Sequence, residues 1–193
     1  MLDKLNQFEN NCFDITITSP PYGDNATTVP YGQFSMLALL WIDKKDLDLE
    51  GWELENYSII DSKSIGGCYS NNYLNEYHLS LIEPYLNKIC ENKRRKVIRF
   101  FSDYFNVFEN ICRVTEKYIV LTLGNRTVDR IKIDLNGITK SFLENNDFSL
   151  MKTFERDIPN KRTPKKTSKV QNKPVESMNT EFISIYKNNK FVD

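Results

Sequence analysis

A single histidine, His78, serves the whole 193-residue chain, so the chain alone cannot assemble a histidine-based metal site or a Ser-His-Asp triad. His78 sits in a Tyr-His-Leu triplet of a helical pattern and is expected at the surface of that helix or half-buried on it. Cys12, Cys68, Cys90 and Cys112 are widely spaced, with no Cys-x-x-Cys pair. That spacing argues against disulfides and structural zinc, and no metal is expected. Neither sign of charge is in excess. With 26 Lys+Arg against 26 Asp+Glu, polyanion binding by bulk charge is excluded and only a local patch is left for nucleic acid. No apolar run approaches the ~20 residues of a membrane span. Met1-Leu2-Asp3-Lys4 lacks the basic-then-apolar pattern of a signal peptide. The expected location is the cytoplasm, without a membrane partner.

The composition is otherwise globular. Hydrophobic residues make up 40% and aromatics 12% of the chain, enough for one domain around one core. The β-branched run Phe13 to Thr18 predicts a strand, which Ser-Pro-Pro stops because proline cannot continue a central ladder. Gln33 to Trp41 is an apolar segment that suits a buried helix. From Asp43 to Asp61 seven acids face only Lys44 and Lys45, which predicts a solvated insertion over about residues 43–72.

Tyr73 to Asn92 and Lys96 to Thr115 predict two long amphipathic helices. The second carries Val97, Phe100, Phe101, Tyr104, Phe105, Phe108 and Ile111 at spacings of three and four, a core stripe. Lys117 to Leu123 is the strongest strand signal, apolar enough to be buried on both faces, and Gly124-Asn125-Arg126 closes it. Asp134 is a plausible cap for a helix running to Asn145. Phe148 to Ile158 and Thr180 to Lys187 alternate as strands on either side of a polar loop from Pro159 to Met178. The fold class is therefore α/β, with two parallel strands and a terminal hairpin. Open sheets covered by helices usually have about five or six strands, so this is half a sheet. One side of Tyr118 to Leu123 is expected to be left open for association.

Thr18-Ser19-Pro20-Pro21-Tyr22 stands at the carboxyl end of the first strand, where α/β sheets bind ligands. Two prolines remove two backbone donors and leave carbonyls free to accept. Ser19 adds a side-chain acceptor, and Tyr22 adds a flat face with a polar tip. Such a cluster can accept both protons of an exocyclic amino group while stacking on the ring that bears it.

Asp14 through Trp41, DITITSPPYGDNATTVPYGQFSMLALLW, resembles the catalytic motif of the exocyclic-amino DNA methyltransferases of bacterial restriction-modification systems. Leu123-Gly124-Asn125-Arg126-Thr127-Val128, Ile158-Pro159-Asn160-Lys161-Arg162 and Ser177-Met178-Asn179-Thr180-Glu181 resemble later blocks of one subgroup. The resemblance implies a Rossmann-like class I methyltransferase fold. Residues 1–193 would be a single catalytic half-domain, the C-terminal half of the sheet with its antiparallel hairpin.

It further implies transfer of a methyl group from S-adenosyl-L-methionine to the amino group of a base flipped out of double-stranded DNA, cytosine N4 in preference to adenine N6. Ser19 and the Pro20 carbonyl would accept from that amino group, beside Pro21. Tyr22 would stack on the base, and Thr18 with Ser19 would border the cofactor. The implied DNA contacts are Asn25, Tyr31, Phe34, Asn125, Arg126, Asn160, Lys161, Arg162, Lys165 and Lys166. The last five belong to a basic stretch, Arg156 to Lys173, with seven cations and one acid, within the DNA-contacting loop expected at about 159–178.

The family's glycine-rich cofactor loop, Asp-Pro-Phe-x-Gly-x-Gly, and its ribose-binding acid have no counterpart in this sequence. This implies that the cofactor is held mainly by a second methyltransferase subunit carrying the Phe-x-Gly-x-Gly loop, in a heterodimer or larger complex. Two other readings stay open: a non-catalytic DNA-binding or specificity subunit with a relic of the fold, and a subunit that methylates amino groups of RNA or protein.

Overall fold

Strand propensity and helical periodicity set the principal elements of the chain. The computed structural model describes residues 5–23, 31–43, 45–46, 61, 65, 74–157, 166–170, 173–176 and 180–191. Strand β1 is Phe13–Thr18 and ends at the prolines. Helix α1 covers Tyr31–Leu39, α2 Glu76–Leu86, α3 Glu91–Val114 and α4 Leu135–Asn145. The remaining strands are β2 (Thr115–Leu123), β3 (Arg126–Val128), β4 (Ile131–Ile133), β5 (Phe148–Asp157), β6 (Lys166–Val170), β7 (Lys173–Glu176) and β8 (Thr180–Asn188).

The main sheet is mixed, in the order β1-β2-β8-β5. β1 runs parallel to β2, with Ile17 opposite Val120, while β8 is antiparallel to both β2 and β5. The expected terminal hairpin is thus present as β5 and β8. β2 is not the open strand, because β1 and β8 pair with its two sides; β1 forms the edge instead. Nor is β2 buried on both faces. Ile119, Leu121 and Leu123 are buried, whereas Tyr118, Val120 and Thr122 on the other face are half-buried.

The core lies between the first of those faces and the helices. In α3, Val97, Phe100, Phe101, Tyr104, Phe105, Phe108 and Ile111 are all buried, as the stripe predicts. Their rings meet at contact distance: Tyr104 stacks on Phe108 at 4.4 Å and Phe105 on Phe142 of α4 at 5.0 Å. Buried Tyr104 keeps a partner for its hydroxyl, 2.7 Å from that of Thr139, and burial pushes its pKa up. Burial likewise pushes the Cys112 thiol up to about 12, leaving it a packing residue rather than a nucleophile.

Sequence and structure part over several segments. His78 is buried, with its ring stacked on Phe105 at 4.6 Å and Nε2 3.6 Å from Glu109. The aromatic core provides a better surface for the imidazole than solvent. The helix expected up to Asn92 stops at Leu86, two residues beyond Pro84, whose missing N–H and bulky ring weaken the helix there. A new helix starts after Cys90, whose own side chain provides no cap. The substitute is Asp129, which accepts from the Cys90 N–H at 3.0 Å and from Lys93 Nζ at 2.8 Å.

Asp129 occupies the turn between β3 and β4. There Asp129 and Arg130 take φ of 53° and 65°, two left-handed residues that match the twist of a tight hairpin. Hydrogen bonds from Cys90 and Lys93 hold the Asp129 carboxyl well below the usual carboxylate range. A depressed native pKa stabilises the fold above the unfolded value, and that contribution is lost as pH falls through the folded value. Asp129→Asn should therefore lower the denaturant midpoint at neutral pH, and the gap from wild type should narrow as pH falls below the ordinary carboxylate range, in urea titrations followed by circular dichroism.

Helix α1 forms two residues earlier than the segment expected from Gln33 to Trp41, and it is not buried. Phe34 and Leu37 are exposed, and Trp41 beyond its end is 92% exposed. Within the acidic insertion Asp61 is buried, not solvated, and its Oδ1 accepts the Gly32 N–H of α1 at 3.1 Å. A carboxylate at a helix N-terminus satisfies an otherwise unpaired donor and the helix dipole together. Most of the insertion lies outside the described residues. The polar stretch expected as a loop contains β6 and β7, paired antiparallel with Thr167 opposite Val175. Among the described residues, no helix is long and apolar enough to cross a membrane.

Candidate active site

Thr18, the last residue of β1, pairs with Leu121 of β2, so the following motif emerges at the carboxyl end of both parallel strands. Ser19 is exposed, Pro20 is buried and Pro21 and Tyr22 are half-buried. Two rigid prolines between an anchored strand and a packed ring leave the Ser19 side chain in solvent on a backbone with little freedom. The Tyr22 ring packs against the core cluster, and its hydroxyl donates to Glu181 Oε1 at 3.0 Å.

Glu181 connects the motif to the far side of the sheet. It faces Arg156 of β5 across the β5–β8 ladder, and its second oxygen forms an ion pair with the Arg156 guanidinium. The Glu181 side chain is mostly buried while that of Arg156 is exposed. The charge on Glu181 is thereby compensated, and its carboxylate is fixed for Tyr22. Arg156 of β5 thus holds Glu181 of β8, which in turn holds the Tyr22 phenol.

On the other side of the motif, Arg126 at the start of β3 packs its guanidinium 5.5 Å from the centre of the Phe100 ring. It also lies against Gly23: a Cβ there would come within 2.5 Å of Arg126 Nη1. Glycine after Tyr22 is what allows this approach. Asn125 accepts from Asn136 Nδ2 at 3.0 Å, which ties the end of β2 to the first turn of α4. Both residues proposed from sequence as DNA contacts are therefore engaged within the chain. Phe34 is exposed on α1. Tyr31 and Lys166 open α1 and β6, and their side chains lie outside the described residues, as do Asn25, Asn160, Lys161, Arg162 and Lys165.

Nothing local in the sequence marks Glu181 and Arg156 as the supports of Tyr22. Glu181 closes the Ser177 to Glu181 block and Arg156 opens the basic stretch, so both were in view. What was missing was the pairing of β5 with β8, which only the folded sheet supplies.

S-adenosylmethionine would need a cradle for its charged methionine end. Gly23 has its open side filled by Arg126 and Gly137 by Asp134, whose carboxylate caps α4. Thr18 and Ser19, expected to border the cofactor, lie at the end of the edge strand β1, with Ser19 exposed. Among the described residues, no group of histidine, cysteine and acidic side chains could hold a metal ion.

No protein-family model matches the chain. It is 33% identical over 195 residues to the type II methyltransferase M.MvaI of Kocuria varians, an alignment covering 94% of this chain and 42% of that protein. The chain spans less than half the length of the curated relative it matches. In fold comparison, the DNA modification methylase candidate TTHA0409 of Thermus thermophilus aligns with a TM-score of 0.46 and 13% identity, over 100% of this chain and 53% of that one. A structure of TTHA0409 complexed with S-adenosyl-L-methionine aligns with the same score and identity over 54% of that chain.

Proposed function

We propose that this chain is the catalytic part of an S-adenosylmethionine-dependent DNA methyltransferase of the exocyclic-amino type, acting with a partner polypeptide that holds most of the cofactor. The observation that carries this reading is the placement of Thr18 to Tyr22. The motif leaves the carboxyl end of a strand with Ser19 in solvent and Tyr22 anchored through Glu181. The 33% identity to a type II methyltransferase along nearly the whole chain supports it.

In this reading the exposed Ser19 hydroxyl and the Pro20 carbonyl accept the two protons of the amino group, raising electron density on its nitrogen. Tyr22 offers its ring to the base while Glu181 fixes the ring's orientation. The cofactor would supply the methyl group and leave as S-adenosylhomocysteine, and the amino nitrogen would release one of its two protons to solvent. Cytosine N4 is the favoured target and adenine N6 the alternative, each on a base flipped from duplex DNA.

The test is mass spectrometry of nucleosides from DNA incubated with the cofactor, this chain and the portion of M.MvaI that it leaves unmatched, expressed separately. N4-methylcytosine is the expected product, and DNA without any methylated base would overturn the proposal. By calorimetry the isolated chain should show no measurable affinity for S-adenosylmethionine. Micromolar binding would place the cofactor site within this chain and remove the need for a partner.

The basic stretch is assigned to DNA. Replacing Lys161, Arg162, Lys165 and Lys166 by alanine should weaken duplex binding by the complex and flatten its salt dependence, since each lost phosphate contact removes roughly 0.9 from the slope of log K against log salt. Fluorescence anisotropy at several salt concentrations measures that slope. An unchanged slope would mean that these four side chains are simply solvated.

A further inference from the structure

We infer that the outer edge of β1, together with the apolar sheet face beside it, is the docking surface for a polypeptide that adds a strand parallel to β1. Its occupant is the counterpart of the portion of M.MvaI that this chain leaves unmatched; that identity rests on the methyltransferase reading, whereas the surface itself does not.

The two edges of the main sheet differ. β5, at one edge, carries Lys152, Glu155, Arg156 and Asp157, charges of the kind that keep an edge strand from pairing with another chain. β1, at the other edge, has neither lysine nor proline. Its one charged residue, Asp14, is already bound to Lys117 Nζ at 2.6 Å.

Both edges expose apolar side chains, but Met151 and Phe154 of β5 stand among charged residues whereas those of β1 do not. Ile15 is 52% and Ile17 76% exposed. The register aligns them with Tyr118 and Val120 of β2, and Val120 in turn with Ile185 of β8. These residues make an apolar row across the face opposite the buried Ile119, Leu121 and Tyr186. An open strand edge beside an apolar face is what strand addition followed by helix packing would cover.

Three observations select the occupant. The matched relative has more than half its length beyond this chain, so polypeptide of the required size exists in the relative. β1 and β2 are already parallel, and a further parallel strand would end beside Ser19. That places its following loop in the crevice at the carboxyl ends of the strands, where α/β sheets bind their ligands. Finally, Thr18 and Ser19, expected to border the cofactor, lie at the end of this edge strand, and this is the position from which a second polypeptide could provide a cofactor cradle.

The experiment measures association and needs no methyl transfer. The unmatched portion of M.MvaI, expressed separately, is titrated into this chain in the calorimeter, and amide exchange is followed over residues 13–18. Binding with slowed exchange in β1 is expected. Ile17→Arg should weaken binding at least ~100-fold and leave the thermal melt of the isolated chain unchanged, because Ile17 is already in solvent. Met151→Arg, on the opposite edge strand, should bind like wild type.

Absence of binding, or binding indifferent to Ile17→Arg, would overturn the assignment. So would a homodimer of the free chain dispersed by Ile17→Arg, which would make a second copy the occupant. Association without methylation would refute the proposed function and leave the docking surface standing. Methylation unaffected by Ile17→Arg would do the reverse.

Discussion

In the proposed methyltransferase complex, Ser19→Ala and Tyr22→Ala are each expected to lower turnover by about two orders of magnitude, the scale of removing one preorganised transition-state interaction. Ser19 is exposed at the end of a fixed strand, so its hydroxyl contributes little to folding and its loss should appear in catalysis. Tyr22 is half-buried against the core, so Tyr22→Phe is the needed companion. Phenylalanine keeps the ring and the packing, and removes the hydroxyl that donates to Glu181. If the ring stacks on the base, Tyr22→Phe should retain most of the turnover that Tyr22→Ala loses. Glu181→Ala should fall between them, with Glu181→Gln recovering part of the loss because an amide oxygen can still accept from the phenol. Single-turnover rates on a defined duplex measure all five variants. A wild-type rate for Tyr22→Ala would eliminate the stacking role.

Phe105→Ala is expected to be the most damaging change to stability, at about 3–5 kcal/mol. Phe105 is fully buried, and its ring stacks on Phe142 at 5.0 Å and on His78 at 4.6 Å. Truncation would open a cavity where α2, α3 and α4 meet and remove the aromatic surface under the buried imidazole. A loss of that size is a large part of an ordinary domain's stability. Urea unfolding followed by circular dichroism gives the value, and a loss under 1 kcal/mol would mean that the neighbouring rings close the gap.

The features legible in the sequence are those with a local cause. β1 ends at Thr18 because prolines follow at 20 and 21, α3 is amphipathic because its aromatics recur every three or four residues, and α4 is capped by Asp134 as its position suggests. Signals that depend on distant partners were less visible. β3 and β4 are three residues each and turn through Asp129-Arg130 rather than a glycine pair. The apolar residues of α1 suggested burial, yet Phe34 and Leu37 face solvent. Composition says that a surface can be buried, not that anything in the same chain covers it. The motif at Ser19 to Tyr22 was evident from its prolines and aromatic ring, while its support by Glu181 and Arg156 depends on a ladder between strands far apart in sequence.

The order of strands also determines when the sheet can exist. β8, the last strand of the chain, lies between β2 and β5, so during synthesis β5 has no partner in the main sheet until residues 180–188 have been made. Long-range pairing of this kind slows folding and prolongs the exposure of unpaired strands. A nascent chain ending before Thr180 would also lack Glu181, leaving Tyr22 without its acceptor. The joining of β5 to the sheet and completion of the Tyr22 anchor are therefore one late event, and a ribosome-bound chain stalled before residue 180 should be protease-sensitive throughout β5.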